Sequence, residues 1–223
     1  MKTLRDYVRR LAEAAIAGEQ AVEGGLALLR NSQRGRVVYV LYDPKVLSQV
    51  AQEPGFWSGR YSRPLDDIIH GFMEVLPHSG DCNDAMEVQQ SAAVKGYGPL
   101  LYDMVMSDSD GGLIPHRIST SDAAKKLWQF YSSKRKDVEK NPLDDEDNPK
   151  TPETGDDCEM VKDPDEVLNF SYDGPGQSGP KSQLLQRHQE VSKQFAEHGI
   201  GEKALGNIVA QMGQMLFDKK YGR

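Results

Sequence analysis

Ala92–Ser107 reads AAVKGYGPLLYDMVMS, and the fold is decided here. The residues leading into it, Met86–Val94 (MEVQQSAAV), suit a strand. Gly96-Tyr97-Gly98-Pro99 then turns the chain, and Leu100–Met106 is an apolar run. Proline fits the first turn of a helix, where its missing N–H would have no partner anyway. The stretch therefore reads as strand, tight turn, helix. Backbone N–H groups of such a turn have no partner within the helix, and the helix dipole adds partial positive charge beside them. A phosphate or pyrophosphate suits that place. Glycine lets it approach the backbone closely, and Lys95 adds charge. A helix entry with no ligand would use the same residues. The pattern is not G-x-G-x-x-G, because Leu101 stands at the third glycine position, and no Gly-Lys-Ser/Thr follows for a P-loop.

Outward from this stretch, Arg36–Tyr42 (RVVYVLY) is β-branched and aromatic, which predicts a strand closed by Asp43-Pro44. A short helix is expected over Lys45–Gln52, and a second strand over Asp67–Leu76, weakened at Gly71. Leu113–Arg117 suits a short strand. Ser119–Asp122 offers caps for a helix over Ala123–Lys134, whose Ala124, Leu127, Trp128 and Tyr131 share one face. Val167–Tyr172 (VLNFSY) reads as another strand. Two helices follow, over Gln183–His198 and Glu202–Lys219, the second with an apolar stripe from Leu205 to Phe217. At the other end, Leu4, Val8, Leu11 and Ala15 predict an amphipathic helix over Leu4–Ala17. Strands mixed with helices give an α/β (α+β) fold class, with a mixed central sheet flanked by helices.

The chain has 223 residues, with 27 Lys+Arg against 34 Asp+Glu, a formal net charge of −7. Asp137–Glu166 holds 13 acidic residues and three lysines, −10 in sum, so the other 193 residues total about +3. With Pro142, Pro149 and Pro152 inside it, this segment reads as a solvated acidic arm or linker. The division expected is a core over 1–136, the arm over 137–166, and a final strand, Gly/Pro loop and C-terminal helices over 167–223. No apolar run approaches the ~18 residues of a membrane span, and a general nucleic-acid binder would be basic. MKTLRDYVRR has no apolar h-region, so no signal peptide is expected. Cys82 and Cys158 are too few for a disulfide scaffold and lack a C-x-x-C partner. A reducing cytoplasm is the expected compartment.

The glycine turn, followed by Leu101-Tyr102, resembles the acetyl-CoA-binding turn of the GCN5-related N-acetyltransferases, Q/R-x-x-G-x-G/A. Gly96 and Gly98 supply its glycines, and Ala93 stands where that family has Gln or Arg. The resemblance implies that Val94, Lys95, Gly96, Tyr97, Gly98 and Leu100 hold acetyl-CoA or another acyl-CoA. The family's A-x-x-L-Y motif, whose tyrosine protonates the departing thiolate, is matched by Ala124-Lys125-Lys126-Leu127-Trp128. Indole cannot act as that acid, so Tyr131 or Tyr102 is the replacement, or the chain binds without catalysing. LYDPK (Leu41–Lys45), Glu87–Asp103, GGLIPHR (Gly111–Arg117) and Leu143–Pro152 also look like acetyltransferase-like proteins encoded by tailed bacteriophages. That resemblance implies a GNAT-like fold in the host cytoplasm or the virion. It also implies transfer of an acyl group to an unidentified amine, or else a non-catalytic structural or interaction role. The C-terminal helices would then contact other phage proteins or a second copy.

Glu87 alternates with Gln89 on the strand before the turn. It is the candidate base for the incoming amine, and Glu74 is a second. The five histidines show no i, i+4 pair, so no zinc site is expected. Asp108-Ser109-Asp110-Gly111 opens like a calcium loop, but its twelfth position would be Ser119 rather than Glu. No G-x-S-x-G elbow occurs.

Overall fold

A computed structural model of the chain describes residues 18–56, 63–162, 166–174 and 178–222. The helix expected over Leu4–Ala17 lies outside them. Among the described residues there are nine strands: β1 (Ala27–Gln33), β2 (Arg36–Tyr42), β3 (Ile69–Pro77), β4 (Met86–Ala93), β5 (Leu113–Ile114), β6 (Glu139–Pro142), β7 (Asp144–Asp145), β8 (Asp157–Cys158) and β9 (Phe170–Asp173). The helices are α1 (Gly18–Glu23), α2 (Pro44–Val50), α3 (Leu65–Ile68), α4 (Tyr97–Met106), α5 (Asp122–Lys134), α6 (Ser178–Glu197) and α7 (Glu202–Tyr221). Seven strands form one mixed sheet in the order β1-β2-β3-β4-β5-β9-β6. The expected α+β class, a mixed sheet flanked by helices, is what the structure shows.

By its contacts the chain divides into two compact units, each discontinuous in sequence. Among the described residues, one contains Val75–Gln89 and Tyr102–Ser178; the other contains 18–74, Gln90–Leu101 and the chain from Gly179. Both cut across the segments 1–136, 137–166 and 167–223, and β3, β4 and α4 each contribute residues to both.

In the second unit, β1 and β2 form a hairpin whose last pair is Gln33 with Arg36. Its two-residue loop, Arg34-Gly35, has φ of 52° and 79°. A type I′ turn needs two positive φ values, and that twist matches the strands. β2 is buried along almost its whole length, including Tyr39, Val40, Leu41 and Tyr42, which is why its sequence is a continuous apolar run. Asp43 ends it and caps α2: its Oδ1 accepts from the N–H groups of Lys45 at 2.8 Å and Val46 at 3.0 Å. The core of this unit sets Val40, Tyr42 and Phe72 against Val209, Met212 and Leu216 of α7. The approach is close at Gly213, where an added Cβ would lie 2.6 Å from Phe72 Cδ2 and 3.0 Å from Val40 Cγ2.

In the first unit, β4 pairs parallel with β5 through Met86–Leu113 and Glu87–Ile114. β9 pairs antiparallel with β5 and with β6. The acidic segment thus supplies β6 to the main sheet, and its β7 pairs parallel with β8 in a two-stranded ribbon. A disulfide joins Cys82 to Cys158 across 76 residues, in a small core with Ala85, Ile114 and Leu143.

Candidate functional site

β4 ends at Ala93, and the turn that follows is fastened on both sides. Val94 N–H donates to the His70 carbonyl on β3 at 2.9 Å, and Tyr97 N–H donates back to the Val94 carbonyl at 3.1 Å. Gly96 sits at φ 96°, a conformation that a side chain strains. Gly98 does not need positive φ, and a Cβ built on it meets nothing within 4 Å. The space over Gly98 is open, as a phosphate cradle requires. Lys95 is exposed beside it, while Pro99 and Leu100 are buried in the first turn of α4. Leu100 offers a ligand its main chain alone.

Two side chains that the sequence did not single out join this turn. The His70 ring stacks on Tyr97 with centroids 4.8 Å apart, and its Nδ1 is buried with no hydrogen-bond partner. Burial lowers the His70 pKa against the opposing pull of Asp43 and Asp67, so the ring is held neutral. Lys220, near the end of α7, donates from Nζ to the Ala93 carbonyl at 3.0 Å, and burial lowers its pKa. Lys219, its neighbour, pairs with Asp66 at 3.0 Å.

The remaining candidates fall in the first unit, except Glu74, which pairs with Arg36 in the second. Glu87 is 6% exposed. Its Oε1 accepts the Arg117 backbone N–H at 2.9 Å, and its Oε2 lies 3.4 Å from His78 Nε2. Burial pushes this carboxyl up, but the His78 hydrogen bond and the Arg117 N–H outweigh it and hold its pKa below the usual value. The same bond from Glu87, with help from Asp81, raises the pKa of His78.

Tyr102, Trp128 and Tyr131 are brought together as buried core. Trp128 meets Tyr102 edge-on at 5.3 Å and lies 5.0 Å from Tyr172. Tyr102 stacks with Tyr131 at 6.1 Å. The Tyr131 hydroxyl donates to Asp103 Oδ1 at 2.7 Å, and Arg135 Nη1 reaches the same carboxylate at 2.7 Å and 3.0 Å. Burial, then the Asp103 charge, pushes the Tyr131 phenol well above its ordinary value. Its proton is committed to a buried carboxylate and is poorly placed to leave.

A groove of about 870 Å³ lies elsewhere in the second unit, lined by Arg30, Asn31, Gln33, His188, Lys203 and Asn207 among others. It includes no residue of the glycine turn. His188 at its wall accepts or donates one hydrogen bond, to the Tyr42 hydroxyl at 2.7 Å. Among the described residues, no helix is long and apolar enough to cross a membrane.

No protein-family model matches the chain, and neither a curated protein nor a solved structure matches it.

Proposed function

We propose that the chain binds acetyl-CoA or a related acyl-CoA through the turn that joins β4 to α4, as a GCN5-related acyltransferase-like protein of tailed bacteriophages. The observation that carries this reading is the open space over Gly98, in the first turn of a ten-residue helix and beside a positive-φ Gly96. Val94 and Tyr97 N–H are already bonded within the protein, so the pyrophosphate would be received by the Gly96 and Gly98 N–H groups, with Lys95 adding charge. A neutral His70 and the exposed Lys220 flank the same turn.

If the acyl group is transferred to an amine, the reaction needs a base and a way to protonate the thiolate. Glu87 is ionised at neutral pH and therefore able to accept a proton, but its oxygens already hold Arg117 N–H and His78. Neither Tyr131 nor Tyr102 offers a free hydroxyl acid. Approximation of two bound substrates would then supply most of the rate, with solvent protonating the thiolate.

Calorimetry with acetyl-CoA and with CoA tests the reading. Binding of both is expected. Gly98→Val should abolish it while leaving the melting temperature within a degree or two, because the added side chain meets only the space the phosphate needs. Lys95→Ala should weaken it by about 1.5–3 kcal/mol at most. Gly98→Val that folds and binds CoA as well as the parent would remove the phosphate cradle.

A second reading is a non-catalytic virion or interaction protein on the same fold. The Cys82–Cys158 disulfide favours it, because such bonds persist at virion surfaces and in other oxidising settings. Absence of any heat with millimolar CoA, together with the protein in purified particles, would decide for it.

A further inference from the structure

His78, Asp81 and Cys82 present ligand atoms that all lie within 4.8 Å of one another. Cys158 adds a fourth donor, since its sulfur is bonded to that of Cys82. The histidine is already oriented as metal-binding histidines are. Its Nε2 faces Glu87 at 3.4 Å, and its Nδ1 faces Asp81 at 3.2 Å. A carboxylate behind the far ring nitrogen holds the ring in place, and zinc would displace the proton that Nδ1 shares with Asp81. Two sulfurs, an imidazole and a carboxylate form the donor set of tetrahedral zinc rather than of calcium or magnesium.

The backbone supports the same cluster. Cys82, Asn83 and Asp84 follow one another at φ of 50°, 60° and 55°, each an unfavourable conformation for a side-chain-bearing residue. The turn is held there from several directions. Asn83 N–H donates to the Gly155 carbonyl at 2.6 Å, Asn83 Nδ2 reaches Ser171 Oγ at 3.1 Å, and Gly80 N–H donates to Asp84 Oδ1 at 2.7 Å. Cys82 is thereby kept next to His78 whatever its sulfur is bonded to. The cysteines are buried, while the Asp81 side chain is 52% exposed and gives the site an open side.

We propose that these four residues are a redox-gated zinc site, closed by the disulfide when oxidised and able to take one Zn²⁺ when reduced. Opening it consumes two electrons and two protons from a dithiol, which closes into its own disulfide as the Sγ–Sγ bond becomes two thiols. Zinc then binds Cys82 Sγ, Cys158 Sγ, His78 Nδ1 and an Asp81 oxygen, and both thiol protons leave to solvent. With zinc–sulfur distances of about 2.3 Å and zinc–nitrogen distances of about 2.0 Å, the two sulfurs must move apart once their bond is broken, while His78 and Asp81 draw in. In a reducing compartment the pair serves as ligands; when a disulfide oxidant takes up the two electrons and is itself reduced to a dithiol, the pair releases the metal and becomes a cross-link. This site is independent of the acyl-CoA turn.

The full-length chain is reduced anaerobically with dithiothreitol, desalted, and given Zn²⁺ or Co²⁺. Mass spectrometry of the metal should find one zinc per reduced chain and none on the oxidised one. Cobalt should give thiolate charge-transfer bands with tetrahedral visible absorption. Glu87→Gln should weaken zinc by ~10–100-fold through the His78 ring, and His78→Ala and Cys158→Ser should weaken it further. Where a variant fails to fold, the comparison of oxidised with reduced parent decides alone. The proposal is overturned if the reduced parent keeps no zinc, if the oxidised parent keeps as much, or if affinity is indifferent to His78→Ala. Zinc held only by a reduced chain that circular dichroism shows unfolded overturns it too.

Discussion

The Tyr131 hydroxyl, Asp103 and Arg135 make one buried chain of hydrogen bonds, and its value is structural. Tyr131→Phe should leave the Asp103 carboxylate short of a donor and cost about 1–3 kcal/mol in urea denaturation, with CoA affinity unchanged. The His78–Glu87 contact has a pH signature. The His78 pKa is raised above its ordinary 6.5, so its contribution to stability is full below that pH and is lost as pH rises through the folded value. The Glu87 pKa is lowered below its ordinary 4.5, so its contribution is full above that pH and is lost as pH falls through the folded value. The pair is therefore worth most between about pH 4.5 and 6.5, and His78→Gln should flatten the stability profile of the oxidised protein above that window. At this scale the glycine turn was legible because Gly, Gly and Pro each restrict a backbone angle by themselves. His70 and Lys220 were not, since their roles come from partners 24 to 127 positions away in the chain that no local pattern marks. The cluster proposed as a zinc site was hidden for the same reason: three of its members fall within five residues, His78 to Cys82, but the fourth is Cys158.

Helix α7 depends on what it lacks at Gly213. A valine there would press on Phe72 and Val40, both buried. Overpacking of this kind costs about 1–3 kcal/mol, so Gly213→Val should lower the denaturation midpoint by that amount, without altering helix content. Elements with a strong internal pattern were readable. β2 is an unbroken apolar run with the bounds expected, and α5 and α7 carry apolar stripes at helical spacing. The short strand at the start of the acidic segment was not legible, for a physical reason. β6 is Glu-Lys-Asn-Pro, with nothing to bury, and it is a strand because β9 offers it a ladder. Short length, charge and proline are also what an edge strand needs to avoid pairing with another chain. β1 was missed because its apolar half, Ala27–Leu29, is buried while the polar half beyond Arg30 is not, so no alternation runs through it.

Across the whole molecule, neither unit is a continuous piece of chain. Both share β3, β4 and α4, which argues for a single cooperative unfolding transition rather than two. Calorimetry of the oxidised protein should show one peak whose van't Hoff and measured enthalpies agree. Two separated peaks would mean the units unfold independently. Reducing the disulfide relaxes a long loop in the unfolded chain, and the loss should approach ~4 kcal/mol in the absence of metal, read as a lower melting temperature.

The contact of Gly213 with Phe72 and Val40 has a consequence for how the protein is made. β2 leaves the ribosome some 160 residues before α7 begins. At 5–20 residues per second, that is roughly 10–30 s during which the apolar strand has no helix over it. A growing chain must therefore wait, shielded by a chaperone or by provisional collapse. A stop codon anywhere ahead of Met212 would release a product with its sheet uncovered, and such a product should be found in inclusion bodies or degraded rather than as a smaller folded protein.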